Sequence, residues 1–139
     1  MKDNPKRFKF NRLFRVKLGK FEVSNSYLNT SFYTYGLKAL ENGKLKKRHL
    51  QSIFRLLKKM FKKRITLRFN ASLIAPVSSK PLESRMGKGK GPRDHWECPV
   101  KRGMVLLEIG NLPLLKLNSG LIMVQTKLPI ATKVFRITY

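Results

Sequence analysis

Apolar residues recur at Leu50, Ile53, Phe54, Leu57, Met60 and Phe61, at offsets 0, 3, 4, 7, 10 and 11. This is the period of an α-helix with one apolar stripe, and it predicts a helix within Lys44 to Arg64. The period then changes: Ile65, Leu67 and Phe69 alternate with Thr66 and Arg68, as in a half-buried strand. Trp96 to Val100 and Met104 to Ile109 read as two further strands, joined by Lys101-Arg102-Gly103 as a hairpin connection. Pro113 to Lys127 is mostly apolar and predicts a second helix, which Asn118, Ser119 and Gly120 should shorten or distort. Val134, Arg136 and Thr138 alternate with Phe135, Ile137 and Tyr139 in a last strand. Before the first helix, the nearly uncharged Phe21 to Tyr35 favours strand and turn; Gly36 interrupts that pattern, and Asn42-Gly43 marks a turn. Asn70 to Pro76 reads as irregular, and Ser78 to Arg93, rich in Gly, Pro, Ser and Lys, as a long loop.

Charge changes the picture from an ordinary small domain to one built around a polyanion. The 139 residues carry 31 Lys plus Arg against 7 Asp plus Glu, a formal net charge of +24. Such a monomer repels itself over its whole surface, so an anionic partner that neutralises it also stabilises it. With 42% hydrophobic residues the chain still has material for a core. Lys44 to Arg64 holds ten Lys or Arg and no acid. On a helical wheel Arg48, Arg55, Lys59, Lys62 and Lys63 fall opposite the apolar stripe. A merely solvated face normally mixes acids with bases to relieve repulsion between neighbouring turns, so this face is read as turned toward a polyanion. A solvated or a membrane-surface helix are the alternatives.

Met1 to Lys20 holds eight Lys or Arg and one acid, interleaved with Phe8, Phe10, Leu13 and Phe14. It reads as a basic N-terminal extension contacting nucleic acid through Lys6, Arg7 and Arg12, ahead of one domain over residues 21–139. The competing reading, a transit peptide, is opposed by Asp3, Pro5 and the lack of serine. No apolar run is long enough for a membrane-spanning helix, so membrane insertion is not expected. Cys98 is the sole cysteine, which excludes an internal disulfide, and two histidines, His49 and His95, are too few for an ordinary zinc site.

The chemistry is concentrated in the loop, Ser79-Lys80-Pro81-Leu82-Glu83-Ser84-Arg85-Met86-Gly87-Lys88-Gly89-Lys90-Gly91-Pro92-Arg93. Alternating glycine lets the backbone approach a partner closely, and each lysine offers a mobile cation to phosphate oxygens. A nucleotide-binding phosphate loop would need Ser or Thr after its lysine and a helix beyond; here Gly91 and Pro92 follow Lys90. From Pro81 to Gly87 the segment spans up to about 20 Å if extended. The order Tyr35-Gly36-Leu37-Lys38-Ala39, the basic helix, Lys80-Pro81, Arg85-Met86-Gly87-Lys88-Gly89-Lys90-Gly91, Trp96, Gly103 to Ile109 and Lys127-Leu128-Pro129 resembles the universal large-subunit ribosomal protein number sixteen, with its archaeal and eukaryotic L-ten-e relatives.

The resemblance implies an α+β fold, with helices packed on one side of a mixed, mostly antiparallel sheet, a long Gly/Lys loop and a basic N-terminal arm. It implies a structural constituent of the large ribosomal subunit near the peptidyl transferase centre, binding ribosomal RNA and neighbouring ribosomal proteins, and touching A-site and P-site tRNA transiently. The RNA-binding residues would be Lys80, Arg85, Met86, Gly87, Lys88, Gly89, Lys90, Gly91 and Arg93 in the loop, with Arg48, Arg55, Lys59 and Lys62 on the helix. The protein would not be an enzyme, would take no cofactor or metal, and would not be a homo-oligomer. Richness in Lys, Phe, Leu, Ile and Asn resembles an AT-rich organellar gene, which places it in mitochondrial ribosomes, with a plastid or the bacterial cytoplasm as alternatives. A free-standing nucleic-acid-packing protein or RNA chaperone is the competing function.

Five further residues are read in structural terms. Cys98 is expected on one strand face with Trp96 and Val100 as a small buried thiol rather than as a ligand beside His95. Trp96 is expected to anchor the exit of the loop in the core. The acids Glu83, Asp94 and Glu97 are expected to pair with Arg85 or Arg93.

Overall fold

The computed structural model describes residues 13–14, 19, 35–62, 65–87, 89–110 and 114–136. Its elements are β1 (Tyr35–Ala39), β2 (Gly43–Lys46), α1 (Lys47–Phe61), β3 (Thr66–Phe69), β4 (Ala75–Ser78), β5 (Arg93–Val100), β6 (Val105–Gly110), α2 (Leu114–Gln125) and β7 (Thr132–Arg136). The expected α+β class holds, but the single sheet does not. Two sheets form, one in the order β3-β6-β1-β7 and one in the order β2-β5-β4. Every strand pairing among the described residues is antiparallel, so neither sheet is mixed.

The helix predicted from the apolar stripe is α1, and the stripe is its buried face. Leu50, Ile53 and Leu57 are buried, and the half-buried Phe54 ring lies 6.3 Å from that of Phe69 on β3. Burying such a leucine contributes roughly 2 kcal/mol. Lys44 to Lys46, included in the helical segment by charge alone, form strand β2 instead. The backbone changes direction at Lys46, which is extended; its N–H donates to Nδ1 of His49, 3.2 Å away, and so starts the helix.

Strand β3 lies where alternation places it, with Leu67 and Phe69 half-buried and Thr66 and Arg68 exposed; β7 begins two residues ahead of the expected last strand, whose Ile137, Thr138 and Tyr139 lie outside the described residues. Gly36, expected to interrupt, lies inside β1, because the Phe135 ring of β7 covers it; a Cβ there would be 2.7 Å from that ring. The expected β5–β6 hairpin is absent. The chain leaves one sheet at Val100 and enters the other at Val105, turning through Gly103 at φ 89°, whose N–H donates to Ala39 O at 2.9 Å. Strand β4 replaces part of the expected irregular stretch; it is an edge strand, which is where a proline such as Pro76 is tolerated. Helix α2 runs through Asn118-Ser119-Gly120 without a break. Gly120 gives it close approach to α1, since a Cβ there would lie 2.6 Å from the Phe61 ring.

Between helices and sheets sits a core that includes Leu37, Leu45, Leu50, Leu57, Val100, Leu107, Ile109, Leu117 and Leu121. Every residue of β6 is buried, including Glu108. Asn70 donates to Glu108 Oε1, Oε2 has no hydrogen-bond partner, and Arg68 stands opposite in the β3–β6 register.

Candidate nucleic-acid interface

On α1 the sequence of apolar and basic residues sorts into two faces. Arg48, Arg55 and Lys59 are exposed, on the side away from the buried leucines, and Lys62, just past the helix end at φ 52°, is exposed as well. From Arg48 to Lys59 this row runs about 16 Å along the axis at 1.5 Å per residue. Lys58, which the wheel reading left out, is also exposed and lies 4.5 Å from the Phe54 ring centroid, so its cation rests against an apolar side chain. No acid occurs anywhere in α1. Lys63 lies outside the described residues.

The long loop proves to be the connection of a hairpin, because β4 and β5 pair antiparallel on either side of it. Ser79 N–H donates to Pro92 O at 3.1 Å and closes its root. Gly91 is required there: a Cβ would lie 2.3 Å from Ser79 O. Beyond the root, every described side chain from Pro81 to Lys90 is exposed. Ser84 N–H donates to Pro81 O at 3.1 Å, and the Lys80 ammonium donates to Gly87 O at 2.5 Å. The segment therefore curls back on itself and does not extend the full 20 Å allowed by its length. Gly87 and Gly89 have φ of 98° and 76° with nothing within 4 Å of a Cβ, so glycine serves backbone conformation there, not space.

Lys80, Arg85, Lys90 and Arg93 are thus exposed cations on one hairpin, while Lys88 lies outside the described residues. Lys90 Nζ donates to Leu13 O at 2.6 Å and lies 5.7 Å from the Phe14 ring centroid, which ties the loop to the N-terminal arm. The arm residues Lys6, Arg7 and Arg12 lie outside the described residues, as does the segment 21–34 expected to favour strand and turn. At the loop's exit Trp96 is buried as expected, and the Arg93 guanidinium lies 5.0 Å from its ring centroid. Exposed Arg68, Arg102, Lys133 and Arg136 add cations that sequence reading did not select. The alternation of Arg68 with Leu67 and Phe69 is the signal that could have found one of them.

Asp94 and Glu97 meet a partner that the sequence reading did not offer. His95 Nδ1 is 2.7 Å from Asp94 Oδ2, and its Nε2 is 3.0 Å from Glu97 Oε1. Cys98 is buried, and burial pushes its thiol up to about 11. Among the described residues no group of His, Cys, Asp and Glu could hold a metal ion, and no helix is long and apolar enough to cross a membrane.

The arrangement is a packed body with one acid-free basic helix face and one exposed, glycine-hinged basic loop. It can grip phosphates at separated points, and phosphate contacts of this kind fix position without reading sequence. The family model described as ribosomal protein L16p/L10e matches residues 4–135.

Proposed function

The chain belongs to the ribosomal protein L16p/L10e family, and from that premise we propose that it binds large-subunit ribosomal RNA near the peptidyl transferase centre and helps to position A-site and P-site tRNA. Membership makes it a structural component of the large ribosomal subunit, with ribosomal RNA and other ribosomal proteins as partners. The observation that carries the finer reading is the division of exposed cations between a helix packed on the core and an exposed loop. Arg48, Arg55 and Lys59 stand on α1, whose opposite side is fixed in the core, and Lys62 follows at its C-terminal end. A fixed row of this kind suits a fixed partner, ribosomal RNA. The loop, whose described side chains from Pro81 to Lys90 are all exposed, suits a partner that comes and goes, tRNA. We further assign the protein to mitochondrial ribosomes, from its organelle-like composition; recovery with plastid or bacterial ribosomes on fractionation overturns that assignment.

Changing Arg55, Lys59 and Lys62 to Glu reverses the outer face while leaving Leu50, Ile53 and Leu57 in place. The expected result is a soluble helical protein that no longer sediments with large subunits after a high-salt wash. Normal assembly of this variant would mean that the face is merely solvated.

A further inference from the structure

The two most exposed large apolar side chains in the described structure both lie on the basic loop: Leu82 is 105% exposed and Met86 102%. Neither contributes to the core, and a loop that only held phosphates would have no use for them. They are displayed by a shaped segment. The turn closed by Ser84 N–H and Pro81 O carries Leu82, and the Lys80–Gly87 contact together with the positive φ of Gly87 fixes the chain next to Met86. Arg85 lies between them in sequence and is exposed.

Charge restricts what can cover these side chains. From Ser79 to Arg93 the sequence has Lys80, Arg85, Lys88, Lys90 and Arg93 against Glu83 alone, so the partner is anionic. It must also present an apolar surface within one side-chain length of its charge. A nucleotide does both, with a flat base face and a phosphate. In duplex RNA the base faces are stacked and hidden, whereas unpaired nucleotides expose them. Methionine suits this contact, because its polarisable sulfur packs well against aromatic rings.

We propose that Leu82 and Met86 form a base-stacking pair that seats an unpaired nucleotide of RNA whose phosphate is held by Arg85. The proposal rests on the reading that the loop faces RNA, and adds that unstacked bases are what it recognises. Part of the loop's affinity then comes from apolar contact and is independent of salt.

The test measures binding of the full chain to a single-stranded RNA oligonucleotide and to a fully paired duplex of equal length, across a salt series. Leu82→Ser with Met86→Ser should weaken single-strand binding about two- to tenfold, the range expected for losing a methionine contact with an aromatic ring. The slope of log affinity against log salt should not change, and duplex binding should be unaffected. The conservative exchange Leu82→Met with Met86→Leu should restore single-strand affinity. Arg85→Ala should instead make the slope shallower. The proposal is overturned if the serine variant binds single strands as tightly as the natural chain, or if both probes weaken equally. A steep slope alongside either result leaves RNA binding standing and removes only the stacking pair; a flat slope in the natural chain removes both. Both serine positions are fully exposed, so unfolding does not confuse the result.

Discussion

Replacing Leu82 to Lys90 with Gly-Ser should separate what the loop does from what the body does. The root survives, because Ser79, Pro92 and the closely packed Gly91 are kept. Shortening the connection from Ser79–Pro92 to about half its length lowers the closure cost by roughly 0.6 kcal/mol. Against this stands loss of the exposed Lys90–Leu13, Lys80–Gly87 and Ser84–Pro81 hydrogen bonds, which water replaces, so that together they are worth about 0.5–1.5 kcal/mol. The two nearly cancel, so stability should stay within about 1 kcal/mol of the natural chain. Circular dichroism melts in sulfate buffer, which screens the net charge, read this directly. Subunits carrying the variant should assemble, yet translate more slowly and hold tRNA less firmly. Loss of folding would show that the loop belongs to the core, and a normal translation rate would show that it does not reach tRNA; either result refutes the division of labour.

Three further outcomes are expected. If about six to ten phosphates are neutralised, affinity of the natural chain for large-subunit RNA falls by a factor of roughly a thousand or more between about 50 and 200 mM salt, measured by filter binding. Gly91→Ala drives a methyl group into Ser79 O, opens the Ser79–Pro92 bond and costs about 1–3 kcal/mol, visible as lost amide protection at Ser79 by hydrogen exchange. His49 is held below its ordinary value of 6.5 by burial first, and then by Arg48 and Lys46. As the pH falls through 6.5 the unfolded chain takes up this proton before the folded one does, so folding stability should decline. His49→Ala removes the bond to Lys46, costs about 1 kcal/mol, and should flatten this part of the pH profile in urea titrations.

Helix α1 and strand β3 were legible because each has one wet and one dry face, and the period of the pattern names the element. Strand β6 offered no such contrast: Val105 to Gly110 is buried throughout, so nothing in its composition says which strands flank it. The pairing of β5 with β2 and β4 was illegible because adjacency in sequence suggested a hairpin with β6 instead. Strand β4 is short and contains Pro76, which local propensity reads as a break; only its edge position makes it acceptable. Asn118-Ser119-Gly120 misled because packing of Gly120 on Phe61 outweighs a weak local preference. Of the candidate site, the α1 face and the exposure of the loop could be read directly. The Asp94–His95–Glu97 cluster and the grip of Lys90 on Leu13 could not, since both depend on side-chain placement.

Strand β1 lies between β6 and β7, and Gly36 pairs with both Glu108 and Phe135. A ribosome makes β1 first and β7 last among these strands, so the central strand waits for partners from the far end of the chain. At the usual elongation rate of 5–20 residues per second, the hundred or so residues between them take about 5–20 s. Local helix formation in α1 takes microseconds, but Val100, Leu107, Ile109, Leu117 and Leu121, which complete the core around its apolar stripe, are made only later. The growing chain therefore presents a greasy, highly cationic helix for seconds before the sheet can cover one side of it. Timing of synthesis, as much as final stability, sets how exposed this protein is to aggregation and to the first RNA it meets.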